Sequence, residues 1–137
     1  MRAGRGSAMA LAGLLAFTGT VHMVRPGVFD PIVPGWLPGD ARLWTYTSGV
    51  AELVVAALVT LPRTRRAGGW AAAALFVAVY PANIQMAIDA DGTVERLITW
   101  GRLPLQIPLI LWGLAVAWQV NRDHTTQARV LGSEPAP

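Results

Sequence analysis

The run Glu52-Leu-Val-Val-Ala-Ala-Leu-Val59 places one carboxyl group inside a segment, about residues 44–62, that carries no other charge. Three further apolar segments without charged residues cover about residues 7–24, 69–87 and 103–120. A helix needs about 17 to 25 residues to cross a hydrocarbon core of ~30 Å, so each segment is long enough to span a membrane. We therefore predict an all-α fold, an integral membrane four-helix bundle.

The composition of the whole chain supports a membrane protein over a soluble domain. Of its 137 residues, 53% are hydrophobic and 14% are charged, and its mean hydropathy is +0.43. These values are too apolar for an ordinary soluble domain. We predict one membrane domain at residues 7–120, between an N-terminal segment at residues 1–6 and a polar tail at residues 121–137.

The arginine distribution predicts how the bundle is oriented. All eleven basic residues are arginine, and with four spans seven of them fall on the side of the two termini and four on the side of the 25–43 loop. The positive-inside rule then places both termini in the cytoplasm, in the plasma (cytoplasmic) membrane. The basic turn Arg63-Thr-Arg-Arg66 and the net charge of +3 are explained by contact with anionic lipid. We expect the lipid bilayer, and no nucleic acid, as a partner.

Cofactor and metal sites are not expected from the sequence. Cysteine is absent, and the two histidines lie in different environments, His22 in the first span and His124 in the tail. There is no Gly-rich phosphate loop and no pair of haem ligands. We therefore predict no cofactor and no metal.

The connection from Arg25 to Leu43 differs from an ordinary linker. It has four prolines and three glycines, yet it also carries six large apolar residues, which a disordered linker would lack. We predict an ordered Pro-rich outer loop. It either caps the mouth of the bundle or dips its apolar side chains into the lipid headgroups.

Each of the four spans contributes a polar residue at a similar depth in the outer half: His22, Glu52, Asn83 and Gln106. An ionisable group inside a membrane span is most often functional, so we predict that the four converge on one pocket. Glu52 and His22 are the candidate catalytic acid and base, because a buried carboxyl favours its neutral form and a neighbouring imidazole favours its charged form. Candidate substrate-binding residues, which would orient a ligand oxygen, are Asn83, Gln106, Ser48, Tyr80, Thr18 and Trp36.

Two readings of these polar residues remain open, so the sequence does not decide whether the chain is an enzyme. In the first, the pocket binds or transforms a small lipophilic molecule by acid–base chemistry, with the molecule entering from the lipid. In the second, the polar residues only fasten helices together, and the chain is an accessory or assembly subunit of a membrane complex, as a homo-oligomer or with a partner subunit. A proton-coupled transporter is disfavoured because no inverted repeat is detectable.

Small residues and prolines predict the packing of the spans. Small residues recur every four positions in the first three spans, including Ala8 and Ala12, Ala56, and the row Ala74, Ala78 and Ala82. Such rows let helices approach closely in lipid. Pro81 and Pro108 lie inside spans and predict kinks, whereas Pro104 is placed at a helix start.

Several motifs together resemble the DoxX-like family of small four-span membrane proteins. They are Gly19-Thr-Val-His22-Met, the Ile32-Val-Pro-Gly-Trp-Leu-Pro38 segment, Ser48-Gly-Val-Ala-Glu52, Arg63-Thr-Arg-Arg66 and Tyr80-Pro-Ala-Asn83, and the resemblance covers about residues 9–120. It implies a four-span fold and a shared pocket at His22, Glu52 and Asn83. It also implies a link to quinone-coupled complexes, although Met23 stands where members usually have an aromatic residue.

Overall fold

The computed structural model describes the backbone of residues 4–131 and the side chains of residues 4–119. This part of the chain forms four α helices and two short 3-10 turns, and it contains no strand. The helices are α1 (Arg5–Val24), α2 (Ala41–Thr60), α3 (Arg65–Asp89) and α4 (Thr93–Leu131), and the 3-10 turns are Pro26–Val28 and Asp30–Ile32. The predicted all-α four-helix bundle is confirmed.

The fourth helix departs most from the prediction. α4 begins at Thr93, ten residues before the apolar segment, so Pro104 lies inside the helix and not at its start. The apolar pattern missed this first part because residues 93–102 include charged side chains and still form helix. α4 also continues to Leu131, through much of the predicted tail, whose last residues, 132–137, lie outside the described part of the chain.

Local hydrogen bonds fix two other helix ends. The carboxylate of Asp40 accepts the backbone N–H of Arg42 at 3.0 Å, which caps the first turn of α2. At the far end of α2, the Arg65 side chain donates to the carbonyls of Val59 and Thr60, both at 3.0 Å. Arg65 therefore satisfies carbonyl groups that lack partners at the end of a helix.

Consecutive helices are antiparallel neighbours, with α1 on α2, α2 on α3 and α3 on α4, whereas α1 and α4 contact each other little. We call the end at which α1 and α3 finish the loop end, because the 25–40 connection lies there. At the opposite end, the Trp112 indole donates to the Ser7 hydroxyl at 2.8 Å and joins α4 to α1. Apart from this bond, α1 and α4 contact each other little, so the seam between them is looser than the three between consecutive helices.

Glycines allow two close helix crossings. A Cβ atom on Gly19 would lie 2.9 Å from the Gly49 carbonyl oxygen, so the backbones of α1 and α2 touch at this pair. A Cβ atom on Gly113 would similarly lie 2.8 Å from the backbone nitrogen of Ala73, where α4 crosses α3 beside Gly69. Helices approach this closely in membranes through small residues.

Only some residues of the predicted alanine rows are buried between helices. Ala8, Ala12 and Ala56 are buried in the core, but Ala74 and Ala78 are exposed. Ala78 and Ala82 line a space between the helices near the loop, and α3 contacts α4 through Gly69 and Ala73 instead. The buried residues of α3 are Gly68, Gly69, Ala72, Ala73, Phe76 and Ala87.

Apolar side chains cover the outside of the bundle as well as its interior. The core packs mainly towards the opposite end, around Leu11, Leu15, Val59 and Val116. On the outside, Phe17 is 69% exposed, and many other large apolar residues are exposed too. Within the described residues, four helices are long and apolar enough to cross a membrane by length and composition, which suggests a multi-pass membrane protein.

The Pro-rich loop is ordered and lies over the loop end of the bundle. Asp30 holds it there: its carboxylate accepts hydrogen bonds from Arg42 Nε at 2.8 Å and from the Thr45 hydroxyl at 2.8 Å, and it forms a 2.7 Å ion pair with Arg42. The bond from Arg42 lowers the pKa of the Asp30 carboxyl below its usual value. The Trp44 indole adds a 2.8 Å bond to the Pro38 carbonyl. Of the two predicted arrangements, the loop adopts the cap.

Candidate functional site

A cavity of about 470 Å³ opens at the loop end, between the four helices and the Pro-rich loop. The helices pack tightly at the opposite end and separate towards the loop end, so the cavity is formed where the core residues stop. All four helices and the loop contribute to its lining. A second hollow, at the α3–α4 turn, is more open and has few polar atoms, so it does not resemble a chemical site.

His22 and Glu52 face each other on the α1–α2 wall of this cavity. His22 Nδ1 lies 3.5 Å from Glu52 Oε2, and each side chain is 13% exposed. Each residue follows a crossing glycine by three positions, Gly19 on α1 and Gly49 on α2, and so lies beside the point of closest approach. The glycine pair therefore brings the imidazole and the carboxyl group together.

Hydrogen bonds and stacking fix the orientation of the imidazole ring. His22 Nδ1 lies 2.8 Å from the Thr18 carbonyl oxygen, which can only accept, so Nδ1 carries a hydrogen. When the ring is neutral, Nε2 is then an acceptor. The Phe29 ring from the loop stacks on the imidazole with 3.6 Å between ring centroids and an interplanar angle of 20°. Both the tautomer and the plane of His22 are thereby set by its neighbours.

The carboxyl group of Glu52 is incompletely satisfied. Its Oε2 atom is buried and has no hydrogen-bond partner among the residues whose side chains are described. The neighbouring Nδ1–H is directed to Thr18 and not to this oxygen. A buried polar atom without a partner is uncommon in proteins and needs an explanation.

The opposite wall of the cavity carries an amide pair. Gln106 on α4 is 5% exposed and donates through Nε2 to the Phe76 carbonyl of α3. Its Oε1 accepts a 3.2 Å hydrogen bond from Nδ2 of Asn83. Gln106 thus ties α4 to α3 and orients Asn83, which also lines the cavity.

The other predicted binding residues are not all at this cavity. Thr18 and Ser48 line it near His22 and Glu52, and Trp36, which is 65% exposed, lies at its mouth. Tyr80 does not line it, although the sequence predicted that it would. Its neighbours Val79 and Pro81 on α3 do line the cavity.

The apolar content of the loop predicted that Trp36 or Phe29 would lie against the bundle, and Phe29 does so by stacking on His22. The sequence did not indicate a role at the site for three other residues. Asp30 and Arg42 flank the loop with opposite charges, and that signal could have predicted their ion pair. Arg102 lines the rim of the cavity and had been counted only as a charge on the outer side.

Metal ligation is not indicated in the part of the chain with described side chains, where no group of three His, Asp or Glu residues could hold an ion. The chemical groups that face the cavity are instead an imidazole, a carboxyl group, a carboxamide and hydroxyls. Together they can bind a polar function of a mostly apolar molecule and move a proton to or from it.

Comparison with known proteins identifies the family. A family model described as "Domain of unknown function (DUF8561)" matches residues 11–117, which include the four cavity residues His22, Glu52, Asn83 and Gln106. The match covers most of the chain, so the protein belongs to this family. No curated protein and no solved structure matched the chain.

Proposed function

We propose that this protein binds a small lipophilic molecule in the loop-end cavity and transforms it by acid–base chemistry at Glu52 and His22. The observation that carries the proposal is the buried Oε2 atom of Glu52, which has no partner among the described residues although it lies beside a cavity of about 470 Å³. Rotation of the carboxyl group about its terminal bond would turn this oxygen towards the cavity, where a ligand would provide that partner.

A purely structural role for the polar residues is the less economical explanation of this geometry. A network that only joined helices would satisfy its buried atoms, because a buried polar atom without a bond costs about 1 to 3 kcal/mol. Gln106 fits that structural description, since it bonds to both Phe76 and Asn83. Glu52 does not fit that description. We therefore call the wall with Gln106 and Asn83 the anchoring wall, and the wall with His22 and Glu52 the reactive wall.

The proposed proton transfer follows from the orientation of His22. With its Nδ1–H held by the Thr18 carbonyl, the neutral ring offers Nε2 as a general base. When Nε2 takes a proton from the ligand, the ring becomes positively charged. The carboxylate of Glu52, 3.5 Å from Nδ1, would stabilise that charge, and the pair would return the proton in the reverse step.

The ligand is proposed to enter sideways from the bilayer. α1 and α4 contact each other little, and both supply apolar residues to the cavity wall, including Leu14 and Leu109. The loop is held over the end of the bundle by Asp30, so the seam between α1 and α4 is the simpler path for an apolar molecule.

A cavity-filling variant tests ligand binding. Ala51 lines the cavity, so Ala51→Trp should remove from the purified protein any lipophilic molecule that mass spectrometry detects with the wild type. The control is Ala57→Trp, an exposed position on the same helix, which should retain it. Equal retention by both variants would contradict a ligand in the cavity.

The Glu52→Gln variant tests the chemistry on the molecule so identified. It preserves the shape of the side chain but removes the charge, and should reduce turnover by about 10²- to 10⁴-fold. Glu95→Gln, at an exposed carboxyl group outside the cavity, should have no effect. Full activity of Glu52→Gln would exclude the catalytic role.

A second candidate function is that of an accessory subunit that packs against another membrane helix. The outward face of α1 favours it, because Gly6, Ala10 and Gly13 are exposed there and Gly6 and Gly13 have open space beside them. Such a flat face can accept another helix in lipid, from a second copy of the chain or from a partner subunit. Gly13→Leu would then disrupt assembly, whereas Glu52→Gln would not.

We also propose that the family is related to the DoxX-like proteins. The order of the motifs around His22, Glu52 and Asn83 supports this relationship, as does the presence of all three residues at one cavity. The relationship would connect the lipophilic ligand with quinone-linked membrane complexes.

A further inference from the structure

Most hydrogen-bond donors that line the cavity are already used within the protein. The hydroxyls of Thr18 and Thr47 donate to carbonyls of their own helices, at 3.1 and 2.7 Å, and the hydroxyl of Thr45 donates to Asp30. The Trp44 indole N–H donates to a loop carbonyl. Each of these groups has one hydrogen, so it can donate to a ligand only by giving up its present bond.

The amide pair leaves a free acceptor. The Phe76 carbonyl can only accept, so Gln106 must direct its Nε2 to it and its Oε1 to Asn83. Asn83 must in turn donate through Nδ2. Its Oδ1 therefore has no partner among the described residues, and one Nδ2 hydrogen is also unused. The amide of Asn83 thus suits a ligand group that both donates and accepts a hydrogen bond.

The reactive wall also offers acceptors. Glu52 Oε2 is buried without a partner in the described part of the chain, and in the ionised state that the proposed proton transfer assigns to Glu52 it can only accept. His22 uses its Nδ1 hydrogen on Thr18, so the neutral ring leaves the lone pair of Nε2. The cavity therefore has acceptor atoms without a hydrogen-bond donor on both of its facing walls.

The remaining donors lie mainly on the opposite wall and at the rim. Ser48 contributes one hydroxyl near Glu52, Asn83 and Gln106 each keep one amide hydrogen, and Trp36 and Arg102 are exposed side chains at the rim. A ligand with only acceptor groups would therefore leave Glu52 Oε2 without a partner, as it is in the free protein, and would cover Asn83 Oδ1. A donor group would gain a hydrogen bond to one of these atoms, whereas an acceptor-only ligand would remove water from Asn83 Oδ1 without replacing it.

We infer that the cavity selects lipophilic molecules that carry an O–H or N–H donor and rejects molecules of equal size that carry only acceptors, such as ethers, esters and ketones. This inference rests on the proposed function, since it specifies the ligand of the same cavity. Donor-bearing ligands would meet Glu52 and His22 on one wall and Asn83 on the other.

Matched probes test the inference on the full chain in lipid nanodiscs, by isothermal titration. The probes are 4-octylphenol, 4-octylaniline and 4-octylbenzylamine as hydroxyl, neutral-amine and cationic donors, and 4-octylanisole as the methylated acceptor. At least one donor should bind about tenfold or more tightly than the anisole, in line with the cost of an unpaired buried acceptor. Whichever donor binds most tightly identifies the donor type.

The failure of this inference differs from the failure of the proposed function. Binding of the anisole as tightly as the best donor would overturn the donor requirement and leave a lipophile-binding cavity. Binding of no probe to the wild type, with the same result for Ala51→Trp, would contradict both proposals for ligands of this size.

Two variants locate the acceptor. Asn83→Leu should reduce the ratio of donor to anisole affinity several-fold, because it removes Oδ1 from the cavity. Gln85→Leu is the control, since Gln85 lies on the same helix but bonds to Asp89 outside the cavity. The ratio is measured within one protein preparation, so a loss of folded protein does not alter it. An unchanged ratio in Asn83→Leu would overturn the assignment of the acceptor.

Discussion

At the scale of single residues, Gly49 controls the distance between the two ionisable groups. An added Cβ atom would lie 2.8 Å from His22 Cβ and 3.1 Å from the Gly19 carbonyl oxygen, atoms close to or within the backbone that cannot rotate away. Gly49→Ala should therefore lower the melting temperature, because overpacking typically costs about 1 to 3 kcal/mol and exceeds the helix-propensity gain of roughly 0.5 to 1 kcal/mol.

The matched control for this prediction is Gly13→Ala. Gly13 also lies within a helix, but a Cβ atom there would meet nothing within 4 Å. This variant should melt at or above the temperature of the wild type in the same detergent, because only the propensity gain remains. Equal melting temperatures for the two variants would show that the α1–α2 crossing is looser than the glycine contacts imply.

The sequence revealed single residues when their chemistry conflicted with their surroundings. Glu52 was found because a carboxyl group in an apolar segment is costly, and His22 and Asn83 because they are polar residues in spans. The crossing role of Gly19 and Gly49 was not found, since alanine recurs at similar spacing and only the partner helix decides which small residue is contacted. The orientation of Tyr80 was missed for the same reason.

At the scale of elements, Asp30 links the Pro-rich loop to the start of α2. The hydrogen bond from Arg42 lowers the pKa of Asp30, so the ionised form is favoured when the loop is in place. The stabilisation is then complete above the ordinary pKa of about 4 and is lost as the pH falls through the lower pKa of the folded protein. The loop should loosen only in acid.

A dye on the loop measures this loosening. The chain has no cysteine, so Gly35→Cys labelled with an environment-sensitive fluorophore reports on the loop alone. Its emission should shift to the red below about pH 4. Adding Asp30→Asn should give the shifted emission at neutral pH, whereas Asp91→Asn, an exposed carboxyl group, should not. A shift that is independent of Asp30 would assign the loosening to other groups.

The elements themselves were predictable to different degrees. The three spans up to residue 87 were located to within a few residues, because apolar length is the signal for a membrane helix. The first ten residues of α4 were missed, because a search for long apolar segments does not detect a helix that carries charged side chains such as Glu95 and Arg96. The order of the loop was predicted from its apolar content, but its attachment by Asp30 depends on a contact between distant residues.

At the scale of the whole molecule, the orientation in the membrane remains a prediction. With four spans, the sequence assigns seven of the eleven arginines to the side of the termini, which by the positive-inside rule is the cytoplasm. The loop end, with the cavity mouth and Arg42, would then face outwards. Because the chain lacks cysteine, single cysteines at the two ends of the bundle can be labelled in intact cells with a membrane-impermeant maleimide.

Gly35→Cys should react in intact cells, because Gly35 is exposed on the loop. Ala67→Cys, which is exposed near the start of α3 at the opposite end, should react only after the cells are permeabilised. The reverse pattern would place the cavity mouth in the cytoplasm. The unequal distribution of arginines would then reflect contact with lipid and would not indicate the orientation of the bundle. The proposed ligand would then reach the site from the inner leaflet, while the geometry of Glu52 and His22 would be unchanged.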